Sequence, residues 1–182
     1  MAQGILDALR RDHDQVRRMF ARLERAKGEH RRDLFRQLVS ELIRHEVAEE
    51  EILRPVSKLD AGKAIANARM KEESQAEQLL KDMEKLDPGS AEFSAKLAKL
   101  RREVERHAEA EETKEFPRVA RKESPERLRQ MGRAYEAAKR AAPTRPHPST
   151  PNTPAANVLA GPFAVVMDRA RDAIRDALKS AS

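Results

Sequence analysis

The chain has 182 residues with a net charge of +6; 37% of them are charged, 3% are aromatic, and there is no cysteine. That length allows one domain with a real core plus an appendage, and the scarcity of strand formers beside abundant Ala, Leu, Glu, Lys and Arg points to an all-α fold. Without cysteine there are no disulfides, zinc–thiolate sites or iron–sulfur clusters, so any metal must be held by His, Asp and Glu, a donor set suited to iron, manganese or zinc.

Apolar residues Ile5, Leu6, Leu9, Val16, Phe20 and Leu23 recur at helical spacing, which predicts a first helix over 4–27 ended by Gly28. A second, over 31–54, carries Leu34, Phe35, Leu38, Leu42, Val47, Ile52 and Leu53, and Pro55 stops or kinks it. The third, over 63–86, holds Ile65, Met70, Leu79, Leu80, Met83 and Leu86, with Met70 and Met83 expected in the core. Asp87-Pro88-Gly89-Ser90 is a turn into a fourth helix, from Ala91 to Phe116, which Pro117 ends. Short connections make neighbours antiparallel, giving an up-down-up-down four-helix bundle over residues 1–120.

Ser124-Pro125-Glu126 starts a short, basic fifth helix within 121–142. A Pro-rich linker over 143–157 follows, then an amphipathic C-terminal helix within 158–182, striped by Phe163, Val166, Met167, Ala170, Ile174, Ala177 and Leu178. Between Arg118 and His147 nine Lys/Arg face three Asp/Glu, while residues 1–117 are nearly neutral. The C-terminal helix has three readings: it packs back on the bundle, binds a partner or second copy, or touches an anionic membrane, the last weakened by Asp168, Asp172 and Asp176. No nucleic-acid recognition motif is visible. Met1 to Arg10 lacks a signal-peptide pattern and no apolar run is long enough to span a membrane, so the expected location is cytoplasmic.

The second and fourth helices repeat one pattern. His45 precedes Glu49 by four residues and Pro55 by ten; His107 precedes Glu111 and Pro117 identically. Residues four apart share a helix face, so each pair can grip a cation. His45 lies about fourteen residues into its helix and His107 about sixteen, nearly one level at about 1.5 Å per residue. In the antiparallel first helix that level falls near the start, where His13 stands. Aligning Leu79, Leu80 and Met83 with Met19, Phe20 and Leu23 puts Glu73 opposite His13. Four helices thus deliver His13, His45, Glu73 and His107 to one layer, with Glu49 and Glu111 a turn along. Carboxylates offset the repulsion between two close cations, and neutral imidazoles add nitrogen donors without charge. His30 is expected in an exposed loop, and His147 lies in the linker.

His13, His45-x-x-x-Glu49 with Pro55, and His107-x-x-x-Glu111 with Phe116-Pro117 resemble the haemerythrin-like (HHE cation-binding) family over residues 5 to 120. The resemblance implies a four-helix bundle with two irons bridged by oxo and carboxylate groups, with manganese or zinc as alternative occupants. It implies chemistry with dioxygen, nitric oxide or peroxide, or iron handling. Many members carry His in the third helix, where this chain has Glu72-Glu73-Ser74-Gln75-Ala76-Glu77; Glu73 is the substitute donor, with Glu77 behind it. Glu111 and Glu112 fit the two spacings the family uses, and the internal repeat selects Glu111. The imidazoles would cap the irons, and Glu49 and Glu111 would bridge them. A shell so rich in anionic oxygen favours the ferric state, hence a redox sensor, store or oxidase over a reversible oxygen carrier. Whether the protein is an enzyme stays open at this level. The competing expectation is a metal-free helical interaction module whose basic tail meets an acidic partner or membrane surface.

Overall fold

A computed structural model of the chain describes residues 4–141 together with Asp172, Ala173, Arg175 and Asp176. Its elements are α1 (Ile5–Arg25), α2 (Gly28–Asp60), α3 (Lys63–Met83), α4 (Ala91–Ala110), a π turn (Glu111–Glu115), α5 (Phe116–Lys122) and α6 (Pro125–Ala141). There is no strand among the described residues. Helices α1 to α4 form a ring in which α1 packs on α2 and α4, and α3 on α2 and α4. The fold is the antiparallel four-helix bundle that the spacing predicts.

Local chemistry sets the ends of these helices. Gly28 does not close α1; it takes a φ of 56° and opens α2, a conformation that only glycine adopts without strain. Asp87 accepts a hydrogen bond from the Gly89 N–H at 3.1 Å, and Ser90 caps α4 by accepting from the Phe93 N–H at 3.1 Å. Ser124 does the same for α6 through the Arg127 N–H. His30, expected in a loop, is an exposed residue of α2.

Neither proline ends its helix. Helix α2 runs through Pro55 to Asp60, where tertiary packing of buried Leu53, Arg54 and Ser57 outweighs the lost backbone bond. At Pro117 the backbone widens instead: the Phe116 N–H reaches the Glu111 carbonyl, five residues back. A regular α turn would drive the Pro117 ring into the Thr113 carbonyl. Thr113 Oγ1 donates to the Glu109 carbonyl at 2.6 Å, and an Arg118 N–H to that of Lys114 at 2.6 Å, so side chains serve carbonyls around the opened turn.

The apolar core draws on Phe20 and Leu23 of α1, Phe35 and Leu38 of α2, Leu80 and Met83 of α3, and Phe93 and Leu97 of α4, with Phe35 and Phe93 edge to face at 4.9 Å. Each such burial contributes roughly 1.5–3 kcal/mol. In α3 the large buried apolar residues sit only at its end, Leu79, Leu80 and Met83. Met70, expected in the core, is 39% exposed, because the α3 face around it lines an open cleft.

Helix α6 lies in the groove between α1 and α2, burying Met131, Tyr135 and Ala138. Two ion pairs anchor it: Lys139 Nζ lies 2.6 Å from Asp12 Oδ2 and 2.7 Å from Glu41 Oε1, all three residues being buried. Arg44 donates two hydrogen bonds to the Lys139 carbonyl, satisfying the helix end. The predicted linker and most of the predicted C-terminal helix lie outside the described residues; its four described positions are helical, and Arg175 Nε donates to Glu51 Oε1 at 2.8 Å. No helix among the described residues is long and apolar enough to cross a membrane.

Candidate metal centre

One polar layer crosses the bundle. Donor atoms of His13, His45 and Glu111 lie within 4.8 Å of one another, as do those of Glu49, His107 and Glu111, and those of Glu46, Glu73 and His107. Glu111 belongs to two of these groups and His107 to two, so the donors form one continuous cluster rather than three separate sites. All six residues singled out in the sequence fall in it, and Glu46 is an addition. Glu77 stands apart, paired with Lys81 at 3.0 Å. Glu112 turns to the outside of His13, while Glu111 is fully buried.

The three imidazoles are set the same way round. His13 Nδ1 meets Glu112 Oε1 at 2.7 Å, and His107 Nδ1 meets Glu72 Oε2 at 3.1 Å. Carboxylates only accept, so these Nδ1 atoms carry protons. His45 Nδ1 meets the Tyr135 hydroxyl at 2.9 Å, and that hydroxyl donates to Asp12 Oδ2 at 2.6 Å, which leaves its oxygen to accept from His45. Every Nε2 therefore points into the cluster. His13 Nε2, Glu49 Oε2 and Glu111 Oε2 are buried without a hydrogen-bond partner, and His107 Nε2 makes no aligned hydrogen bond although Glu111 Oε1 lies 3.0 Å away. Buried polar atoms are rarely left so. Inward nitrogen and oxygen donors, with the outer nitrogen held by a carboxylate or a hydroxyl, are what a transition-metal ion requires.

The π turn shapes one wall. In a regular α-helix the residues at His107, Glu111 and Glu115 drift steadily round the helix. The wider turn holds that drift back, and both Glu111 and Glu115 are fully buried. Single π turns recur at functional sites for this reason.

Protonation follows from burial and crowding. Burial, with the Glu111 carboxylate alongside, pushes Glu49 well above the ordinary carboxylate range. Glu46 is raised likewise by burial and by Glu73. For Glu111 burial is outweighed by His107, which drives it well below that range. His107 is raised well above an ordinary imidazole: burial opposes its charge, but Glu111, 3.0 Å from Nε2, prevails. His45 goes the other way, lowered by burial.

Arg54 is the feature that the sequence reading missed. It is 1% exposed and reaches into the cluster. Its Nη2 donates to Glu49 Oε1 at 2.8 Å and to Glu73 Oε1, and lies 3.5 Å from Glu111 Oε1. Its Nη1 donates to Glu115 at 3.0 Å. The signal was in the repeat: Arg54 precedes Pro55 as Phe116 precedes Pro117, and Phe116 is a buried slot.

Tyr135, also missed, is the link from α6 to the cluster. Tyr135→Phe removes the acceptor of His45 Nδ1 while keeping the ring. It should lower cation affinity about 10–100-fold, with a stability loss of only about 1 kcal/mol. Calorimetric cation titration beside thermal melts of the same samples checks both values.

A cavity of about 210 Å³ reaches the donors from solvent, lined by His13, His45 and His107 with Val16, Leu42 and Val104 among its apolar walls. The chain matches the model of the Hemerythrin HHE cation binding domain over residues 4–119. It is 28% identical over 172 residues to a hemerythrin-like protein of Schizosaccharomyces pombe, covering 92% of this chain and 85% of that one. Its fold is similar to the crystal structure of a Hemerythrin HHE cation binding domain-containing protein of Mycobacterium kansasii, with a TM-score of 0.69 at 19% identity, covering 76% of this chain and 86% of the other.

Proposed function

Because the chain belongs to the hemerythrin HHE cation-binding domain family, we propose that its polar layer holds two non-haem irons and serves oxidation–reduction chemistry with a small molecule such as dioxygen, peroxide or nitric oxide. The observation that carries this reading is the common orientation of three imidazoles, each with Nδ1 fastened outward and Nε2 turned into the cluster. His13, His45 and the Oε2 atoms of Glu49 and Glu111 would hold one cation; His107, Glu73, Glu46 and the other bridging oxygens would hold the second. Iron there supplies one-electron chemistry, and the surplus of anionic oxygen favours its ferric form, which suits a sensor, store or oxidase better than a reversible carrier.

The chain's own groups set the conditions for loading. Glu112, Glu72 and Tyr135 keep protons at Nδ1, so the ligating nitrogens stay fixed. The raised His107 and Glu49 hold protons until a cation displaces them. Cation uptake should therefore release protons, and affinity should rise from pH 6 to pH 8; calorimetry in buffers of different ionisation heat measures this. The cavity, several times the roughly 30 Å³ of one water, admits the small molecule.

Elemental analysis of freshly purified protein, with thermal melts under anaerobic Fe(II), tests the reading. We expect about one to two irons per chain and a melting temperature that climbs with Fe(II) in wild type but not in His45→Ala. A metal-free protein indifferent to Fe(II) would instead support a helical interaction module.

A further inference from the structure

We propose that Arg54 makes the two cation positions unequal: a cation settles firmly beside His13 and His45, while a second, beside His107, is held weakly and exchanges. The inference rests on reading the layer as a two-cation centre.

The guanidinium divides each bridging carboxylate. Nη2 occupies the Oε1 side of Glu49, Glu73 and Glu111. The Oε2 atoms of Glu49 and Glu111 remain without partners, 3.4 Å from His45 Nε2 and 3.3 Å from His13 Nε2 respectively. The position beside His13 and His45 thus has two inward imidazole nitrogens and two unengaged oxygens. The position beside His107 has one imidazole and Glu46, and the Oε1 atoms of Glu49, Glu73 and Glu111 on its side already accept from a fixed positive charge. Arginine stays protonated throughout the working pH range, so this charge cannot be titrated away. Nor is it free to leave, since Nη1 is forked onto both oxygens of Glu115, at 3.0 and 3.3 Å.

The asymmetry traces to one slot of the internal repeat. Where α2 has Arg54, the matching position after α4 has Phe116, whose ring stacks beside His13 at 6.1 Å and 12°. One half of the repeat inserts a cation into the cluster, and the other inserts an apolar wall. A guanidinium within reach of three shared oxygens repels a divalent ion bound to those same oxygens.

Titration of the cation-free full chain with Mn(II), following the free ion by electron paramagnetic resonance, tests this. Wild type should fill in two steps, the second at least about tenfold weaker. Arg54→Gln, which keeps an amide donor without the charge, should strengthen the second step about tenfold and leave the first almost unchanged. Arg54→Lys should keep the steps apart, and His107→Ala should abolish only the weaker one. Two equal steps in wild type, or an unchanged second step in Arg54→Gln, overturns the inference and leaves the two-cation reading standing. If wild type shows a single step, a second step that emerges in Arg54→Gln supports the inference and its failure to emerge overturns it. No Mn(II) binding at all overturns both. Should Arg54→Gln fail to fold, the separation of steps in wild type and in Arg54→Lys decides.

Discussion

Glu111→Gln is expected to weaken cation binding at both positions by on the order of 100-fold or more. The two oxygens of Glu111 serve both halves of the layer: Oε2 lies 3.3 Å from His13 Nε2, and Oε1 lies 3.0 Å from His107 Nε2. Glutamine keeps the volume but removes the charge and one of the two acceptor oxygens. A ligand at a thousand times its Kd stabilises a fold by about 4 kcal/mol, and a hundredfold loss of affinity leaves about 1.4 kcal/mol. The melting rise produced by Fe(II) should therefore shrink by more than half. The cation-free fold should change little, because relief of the Glu49–Glu111 repulsion offsets the lost His107 pairing. His13→Ala should instead impair only the position beside His45. Equal, undiminished Fe(II) shifts in wild type and Glu111→Gln would remove Glu111 from the centre.

Lys139→Met should have the largest effect on stability, a loss of about 3–5 kcal/mol at pH 7. The ammonium joins Asp12 and Glu41 in a buried triad, and its removal leaves two buried carboxylates with Arg44, 3.5 Å from Glu41 Oε2, as the one arginine paired with either among the described residues. For Asp12, burial is outweighed by His45 and Lys139, so its folded pKa lies well below the ordinary value of 3.8. A depressed acid contributes stability that is fully present above its unfolded pKa and lost as pH falls through the folded one. The gap between wild type and Lys139→Met should accordingly be widest at pH 7 and begin to close only below the ordinary value of 3.8, still partly open at pH 3, as urea melts across that range would show. A gap independent of pH would mean that the triad does not stabilise the fold electrostatically.

Much of the architecture was legible because periodicity is a strong signal in long helices. Helix α1 shows it plainly, with Leu9, Val16, Phe20 and Leu23 all buried. Depth along the bundle was legible too, since rise per residue fixes it: His13, His45 and His107 were assigned one level from counting alone, and their rings do meet one cluster. What stayed hidden depends on side-chain reach and backbone irregularity. Arg54 sits off the His45 face and enters the layer only through its length. The π turn has no sequence mark beyond Pro117, which reads equally well as a helix end. Tyr135 is a lone aromatic on a basic helix, and its partner His45 is 90 residues away; only the stripe Met131, Tyr135, Ala138 hinted that this face packs inward.

The seat of Tyr135 bears on what can be moved between proteins. The family match stops at residue 119, yet the hydroxyl that orients His45 arrives from sixteen residues further on. A graft or trimmed fragment cut at the family boundary would carry every donor and lose the latch on one of them. Residue 141, where α6 ends, is the sensible border for any portable version of this centre.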